Sequence, residues 1–273
     1  AANPKGTRER GIVMTETPLD QAHSAMENAP DDDATRLRFF ERFADNELFL
    51  LLEEEADGDQ IKPRLFPLDD ATVALVFDRE ERLAEFAGGA APYAAMSGRV
   101  VSNLFAGQGI AVGLNLDVAP SAFILPPDAL VWLNETLSSR PEETQDTPSE
   151  IRAPGQMPEA VLMALDAKLA LCGGLAQTAY LCGVSYVSGR RTHLLAFIDP
   201  VPGAEPALAN AASEALTFSG IEAGAIDVSF FRPSDPVAAR LARVGLRFEF
   251  PEPEEPHAPS APGMNPDKPP ILR

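Results

Sequence analysis

ELFLLLEEEADGDQIKPRLFPLDDATVALVFDREERLAEF, residues Glu47–Phe86, decides the fold. It holds three short apolar runs, Leu48–Leu52, Ile61–Phe66 and Val73–Phe77, separated by acidic turns and followed by a helical pattern. A continuous apolar run of five residues reads as a central strand covered on both faces. Asp57-Gly58 is a two-residue hairpin signal, because both positions of such a turn need φ > 0. The run Ile61–Phe66 should then return antiparallel, at an edge or with a bulge, because Pro63 cannot donate to a ladder. Asp69-Asp70 turns the chain into Thr72–Phe77, rich in β-branched residues. Asp78 with Glu81 resembles a capping box, opening a short helix whose buried stripe is Leu83 and Phe86 and whose stop is Gly88-Gly89.

Upstream, residues before Met14 show no apolar period, and Met14 is a candidate natural start. Met14–Asp33 carries six acids and no Lys or Arg, and Glu47–Asp59 again has six acids. Such runs read as solvated segments, with a site for cations or a basic partner protein as the alternative. Residues 1–30 are therefore expected to be a disordered or loosely helical acidic leader. Order is expected from Asp31, where the DDD run caps a helix bearing Leu37, Phe40 and Ala44 on one face, with Phe39 and Phe43 beside them.

Downstream of Pro92 the pattern alternates: a strand at Tyr93–Met96, a helix near Arg99–Phe105 capped by Ser97, strands at Ile110–Leu116 and Ala122–Leu125, and a helix opened by Pro126-Pro127 with Leu130, Leu133 and Leu137 on one side. Trp132, offset from that stripe, reads as a partly buried packing residue or as an anchor for a partner. Residues 140–155 (RPEETQDTPSEIRAPG) hold three prolines and four acids and read as a linker. Beyond it comes the order α-β-β-α-β-α-β over residues 156–250, with Ser188-Gly189-Arg190 as a hairpin turn. Pro251–Arg273 contains eight prolines and reads as a disordered tail. The fold class is α+β, in two domains (31–139 and 156–250), each a mixed or antiparallel sheet covered by helices.

The chain has 22 Lys and Arg against 41 Asp and Glu, a formal net charge of -19, and 45% hydrophobic residues. That field opposes polyanions, so neither nucleic acid nor an anionic membrane is an expected partner. The longest apolar region, Ala160–Val187, is interrupted by Asp166, Lys168, Gly173, Gly174 and Gln177, unlike a membrane span. Without a secretory leader pattern, and with only Cys172 and Cys182, a reducing cytoplasm is the expected compartment.

Catalytic signatures are sparse. Gly107-Gln108-Gly109 precedes a strand and its third glycine, Gly113, is out of phase, so it is not a dinucleotide loop. There is neither a GxxxxGK[ST] loop nor a GxSxG nucleophile. His23, His193 and His257 are far apart, with no metal-ligand spacing; His193 reads as a rim or core residue of the second sheet. Cys172 ends a helix, where the dipole disfavours a thiolate, and reads as a buried structural thiol. Asp69-Asp70 and Asp31-Asp32-Asp33 read as turn and capping acids. No catalytic, cofactor-binding or metal residue is assigned, and no cofactor is expected.

The order of residues nonetheless resembles a family. An opening helix, FLLLEE, RLFPLDDATVALVFDREERLAEF, GIAVGLNL and FILPPDALVWL resemble the N-terminal domain of the SseB family, the bacterial enhanced-serine-sensitivity proteins. Pro158–Phe250, with AYLCGV and HLLAFID as its hairpin, is similar to that family's C-terminal domain. The resemblance implies a bacterial cytoplasmic protein with no activity or cofactor to transfer. It leaves three readings: a non-catalytic protein that binds a protein partner or regulates, a small-molecule sensor or enzyme linked to serine or sulfur metabolism, and an accessory to type III secretion. The last would share only an abbreviation with a translocon component, and the chain has neither membrane-inserting helices nor long heptads.

Overall fold

The computed structural model describes residues 16–58, 60–68, 71–139, 141, 146–220 and 226–251. The chain forms two compact units, Ala1–Arg140 with Leu216–Glu222, and Pro141–Ala215 with Ala223–Arg273. His257 and Asp69-Asp70 lie outside the described residues, as do the linker acids Glu142 and Glu143 and nearly all of the proline-rich tail.

The first unit runs α1 (Pro18–Asn28), α2 (Asp33–Asp45), β1 (Glu47–Leu51), β2 (Leu65–Leu68), β3 (Ala71–Phe77), α3 (Glu80–Ala87), β4 (Tyr93–Ser97), α4 (Gly98–Phe105), β5 (Ile110–Leu114), β6 (Phe123–Leu125) and α5 (Pro127–Ser138). Its mixed sheet has the order β4-β1-β3-β5-β6, with β2 paired to β3. Among the described residues only β3 and β5 are parallel neighbours in this sheet, in register from Thr72↔Ile110 to Val76↔Leu114. The two-residue period of the strands sorts their side chains. Leu48, Leu50, Ala74, Val76, Val112 and Leu114 face a core shared with α1, α2, α4 and α5. Leu51, Val73, Leu75, Phe77 and Ala111 face Leu83 of α3.

Several local expectations change. β1 is central, but it pairs with β4 and β3 rather than with the run after the turn. That run touches β1 through an isolated Leu52↔Pro63 bridge and enters a strand only at Leu65, against β3. Pro63 and Pro67 lack the N–H that a longer ladder would use. The tight turn closes between Asp57 and Gln60, so Gly58 (φ 59°), not Asp57, opens it. Asp78 does not cap α3. Arg79 is the N-cap, without a side-chain cap bond.

Of the expected leader, residues 16–30 are described, and there the loosely helical alternative takes the form of a packed helix. From Pro18 the chain is a helix with a full capping box, in which Thr17 accepts from Asp20 N–H and Asp20 accepts from Thr17 N–H. Leu19, Ala22 and Met26 are buried in the first core. His23 lies edge-on to Phe39 (5.7 Å) and Phe123 (5.8 Å). Of the two acids on α1, Glu27 is exposed and Asp20 makes a buried ion pair.

The second unit runs β7 (Pro148–Arg152), α6 (Glu159–Ala170), β8 (Thr178–Tyr186), β9 (Arg191–Ile198), α7 (Glu205–Phe218, which from Leu216 on counts with the first unit), β10 (Ile226–Phe231), α8 (Pro236–Val244) and β11 (Leu246–Glu249). From α6 to β11 this is the expected order. β7, however, lies inside the stretch read as a linker, where its proline and acid content hid a strand paired antiparallel to β8 around Ile151↔Val184. The sheet order is β10-β9-β8-β11, with β7 also on β8, and β10 runs parallel to β9. Cys182, Val184, Leu194, Ala196 and Ile198 pack against Ala238 and Leu241 of α8. Both units are thus mixed sheets covered by helices, an α+β architecture. No helix of the described residues is long and apolar enough to cross a membrane.

Candidate functional site

Parallel strands concentrate their useful geometry at their C-terminal ends, where loops converge. In the first unit, β3 ends into Asp78 and β5 into Asn115. Asn115 donates its backbone N–H to Val76 O (2.9 Å), adopts φ 48°, and is fully buried. Asparagine tolerates that left-handed conformation better than most residues. Its Oδ1 accepts from Asp78 N–H (3.1 Å) and its Nδ2 donates to Ser121 Oγ (2.9 Å).

Across this end lies α1. The Arg82 guanidinium on α3 grips the Asp20 carboxylate with both terminal nitrogens, Nη1 to Oδ1 at 2.9 Å and Nη2 to Oδ2 at 2.6 Å. Nη1 also donates to Asp78 Oδ1 (2.7 Å). Ser121 Oγ donates to Asp20 Oδ1 (2.5 Å), Thr17 N–H to Asp20 Oδ2 (2.8 Å), and Thr17 Oγ1 to Asp78 Oδ2 (2.7 Å). The side chains of Arg82, Asp20 and Asp78 are 2%, 3% and 0% exposed. A carboxylate offers about four acceptor sites, and Asp20 uses four. Arg82 Nε is buried without a partner.

Burial alone would raise the Asp20 pKa, because it penalises the charged form. The hydrogen bonds from Arg82, Ser121 and Thr17, with the Arg82 charge, outweigh that and hold it at about 2. So low a pKa makes a weak base, and the Asp20 side chain is 3% exposed. As a clamp the cluster ties α1 to the ends of β3 and β5.

The second unit offers a different cluster. Arg190 forks onto Asp227 (3.1 and 2.8 Å), Tyr186 OH donates to Asp227 Oδ2 (2.6 Å), and the guanidinium lies 4.5 Å from the Tyr186 ring centroid. Burial, then the bond to Asp227, pushes the Tyr186 hydroxyl well above its ordinary range. Lys168 Nζ and Glu214 Oε2 form a buried pair at 3.2 Å. A shallow depression of 270 Å³ lies between β7 and α8, with Ile151, Val237 and Arg240 among its walls.

The residues singled out in the sequence do not converge. Cys172 is buried and donates weakly to Lys168 O (3.6 Å). Cys182 is fully buried, and burial pushes its thiol up to about 11. His193 Nε2 sits 2.8 Å from Pro154 O at the rim of the second sheet. Trp132, 38% exposed, meets Phe40 edge-on at 5.2 Å, a packing contact. Asp32 caps α2 through Ala34 N–H (3.0 Å). Gly107 and Gly109 form the turn before β5. Among the described residues, no group of three or more His, Cys, Asp and Glu is gathered as a metal site would need.

Sequence reasoning missed Asp20, Arg82, Asn115 and Ser121. One signal was present: Thr17-Pro18-Leu19-Asp20 combines an N-cap, a proline at the first helical position and an acid three residues after the cap.

Residues 19–132 match the family model for the SseB protein N-terminal domain. The match begins inside α1 and takes in Asp20, Asp78, Arg82, Asn115 and Ser121, while Thr17 lies just before it. No curated protein and no solved structure matches the chain.

Proposed function

We propose, from the premise that residues 19–132 form an SseB protein N-terminal domain, that the protein is a non-catalytic cytoplasmic module that works by binding another protein. One observation carries this reading. The place where parallel strands usually present a ligand site is filled by the chain's own α1, and its carboxylates, hydroxyls and both terminal guanidinium nitrogens are spent on each other. A reaction needs a group whose protonation or lone pair is free to change. Here Asp20 is saturated and out of solvent's reach.

The acidic surface supports a partner with basic character. A net charge of -19 steers cationic surfaces and repels anionic ones. The test is native co-purification from the source cell at low salt, followed by gel filtration. The expected result is a stoichiometric protein complex, unaffected by Cys172→Ser and Cys182→Ser. A protein that stays alone while turning over an amino acid or a sulfur compound would overturn the reading.

A further inference from the structure

The first sheet ends on β4, and β4 is an unusual edge. Its sequence, Tyr-Ala-Ala-Met-Ser, has no proline or charge, and its ladder to β1 runs without a bulge. Natural edges usually carry such guards, because unpaired N–H and C=O groups invite another strand. The neighbouring edge strands differ: β2 contains Pro67, and β6 is three residues long and runs into Pro126.

The hydrogen bonds to β1 decide which groups of β4 are free. Leu52 N–H donates to Pro92 O (2.9 Å) and Gly98 N–H to Asn46 O (3.0 Å), in the same register as Leu50↔Ala94 and Leu48↔Met96. In an antiparallel ladder bonded and unbonded pairs alternate. Ala94 and Met96 therefore bond to β1, whereas the N–H and C=O groups of Tyr93 and Ala95 point away from it, and Ala95 is exposed.

The sheet face beside this edge has a definite chemistry. Tyr93 and Phe49 form an edge-on pair at 5.3 Å, both partly exposed. The carboxylates of Glu80, first, and of Glu55 and Glu47 act on the Tyr93 hydroxyl and push its pKa up. All three glutamates are exposed. Among the described residues none of them forms an ion pair with Lys, Arg or His.

We infer that β4 is a docking edge for an extended, basic segment of a partner protein, which adds as a further strand on Tyr93 and Ala95 and sets alternate Lys or Arg side chains against Glu47, Glu55 and Glu80. The backbone groups supply pairing, and the carboxylates and aromatic faces select cations at every second residue. This rests on the protein-binding reading above and names its surface and the chemistry of its partner.

The probe is a fluorescent peptide, acetyl-Lys-Val-Lys-Val-Lys-Val-Lys-amide, titrated into the full chain. Two isomers are N-methylated on alternate residues, one on the lysines and one on the valines, and a scrambled peptide groups the lysines together. Strand addition predicts saturable 1:1 binding, loss of about tenfold or more in one methyl isomer only, and weaker binding of the scramble. Glu47→Gln with Glu80→Gln should weaken binding and flatten its salt dependence. Ala95→Pro, which removes an outward N–H and spares those facing β1, should act like the damaging isomer. Equal binding of both isomers, or of the scramble, overturns the proposal, and the protein is untouched in that arm. Ala95→Pro as bait separates the two claims. A native partner retained equally by folded Ala95→Pro and wild-type protein rejects the edge and leaves the binding reading standing, whereas no partner on either rejects the reading itself.

Discussion

Arg82 and Arg190 each reach two aspartates, yet the two groups behave as different objects. Arg82 is 2% exposed, between Asp20 and Asp78 at 3% and 0%. Arg190 is 42% exposed, with Asp227 at 20% and Asp146 at 18%, the latter 3.9 Å away. Bidentate geometry is common to both. What differs is the cost of losing a partner, because a buried charge left alone cannot be rehydrated, whereas an exposed one can. The first cluster is therefore a clamp and the second a surface ornament of the β8-β9 turn.

Four substitutions break or sharpen that contrast. Arg82→Met leaves two buried carboxylates unpaired and should cost about 3–5 kcal/mol by urea unfolding followed through Trp132 fluorescence. An effect under about 1 kcal/mol would make the two arginines equivalent. Next comes acid. Asp20 titrates at 3.8 when free and at about 2 in the fold, so its contribution is present above pH 4 and is lost as pH falls from 4 towards 2. The loss should be about 2 kcal/mol, and Asp20→Asn, less stable at neutral pH, should show a correspondingly flatter stability profile in that window. Ser121→Ala removes the donor to Asp20 and the acceptor for Asn115, and about 1–2 kcal/mol is expected by the same unfolding assay. Arg190→Ala comes last, at under about 1 kcal/mol, with any effect shrinking as salt is raised.

Much of the fold is legible locally, and the clamp is not, for one physical reason. Leu130 and Leu133 on α5, the limits Glu205–Phe218 of α7 and the strand Ile226–Phe231 follow from short-range period and caps. Asp20 and Ser121 are 101 positions apart, and Asp20 and Arg82 are 62 apart. No window along the chain brings them together. Local charge even points the wrong way: six acids without a Lys or Arg in Met14–Asp33 read as solvation, although the cation for one of them sits on α3. The β7 strand was concealed similarly, since Ile151 is its one buried side chain in an otherwise polar stretch. Asp78 looked like a cap because caps are local, and it turned inward because Arg82 and Thr17 were there to meet it.

The central claim is that α1 belongs to the first unit through Asp20 and Arg82 and is not a leader resting on it. A double-mutant cycle of Asp20→Ala and Arg82→Ala in urea, at pH 7 and low salt, tests this most directly. The account predicts a coupling energy of about 2 kcal/mol or more, since Arg82→Ala strands the buried carboxylates of both Asp20 and Asp78, whereas the double variant strands only that of Asp78. Additive losses, with coupling near zero, would contradict it.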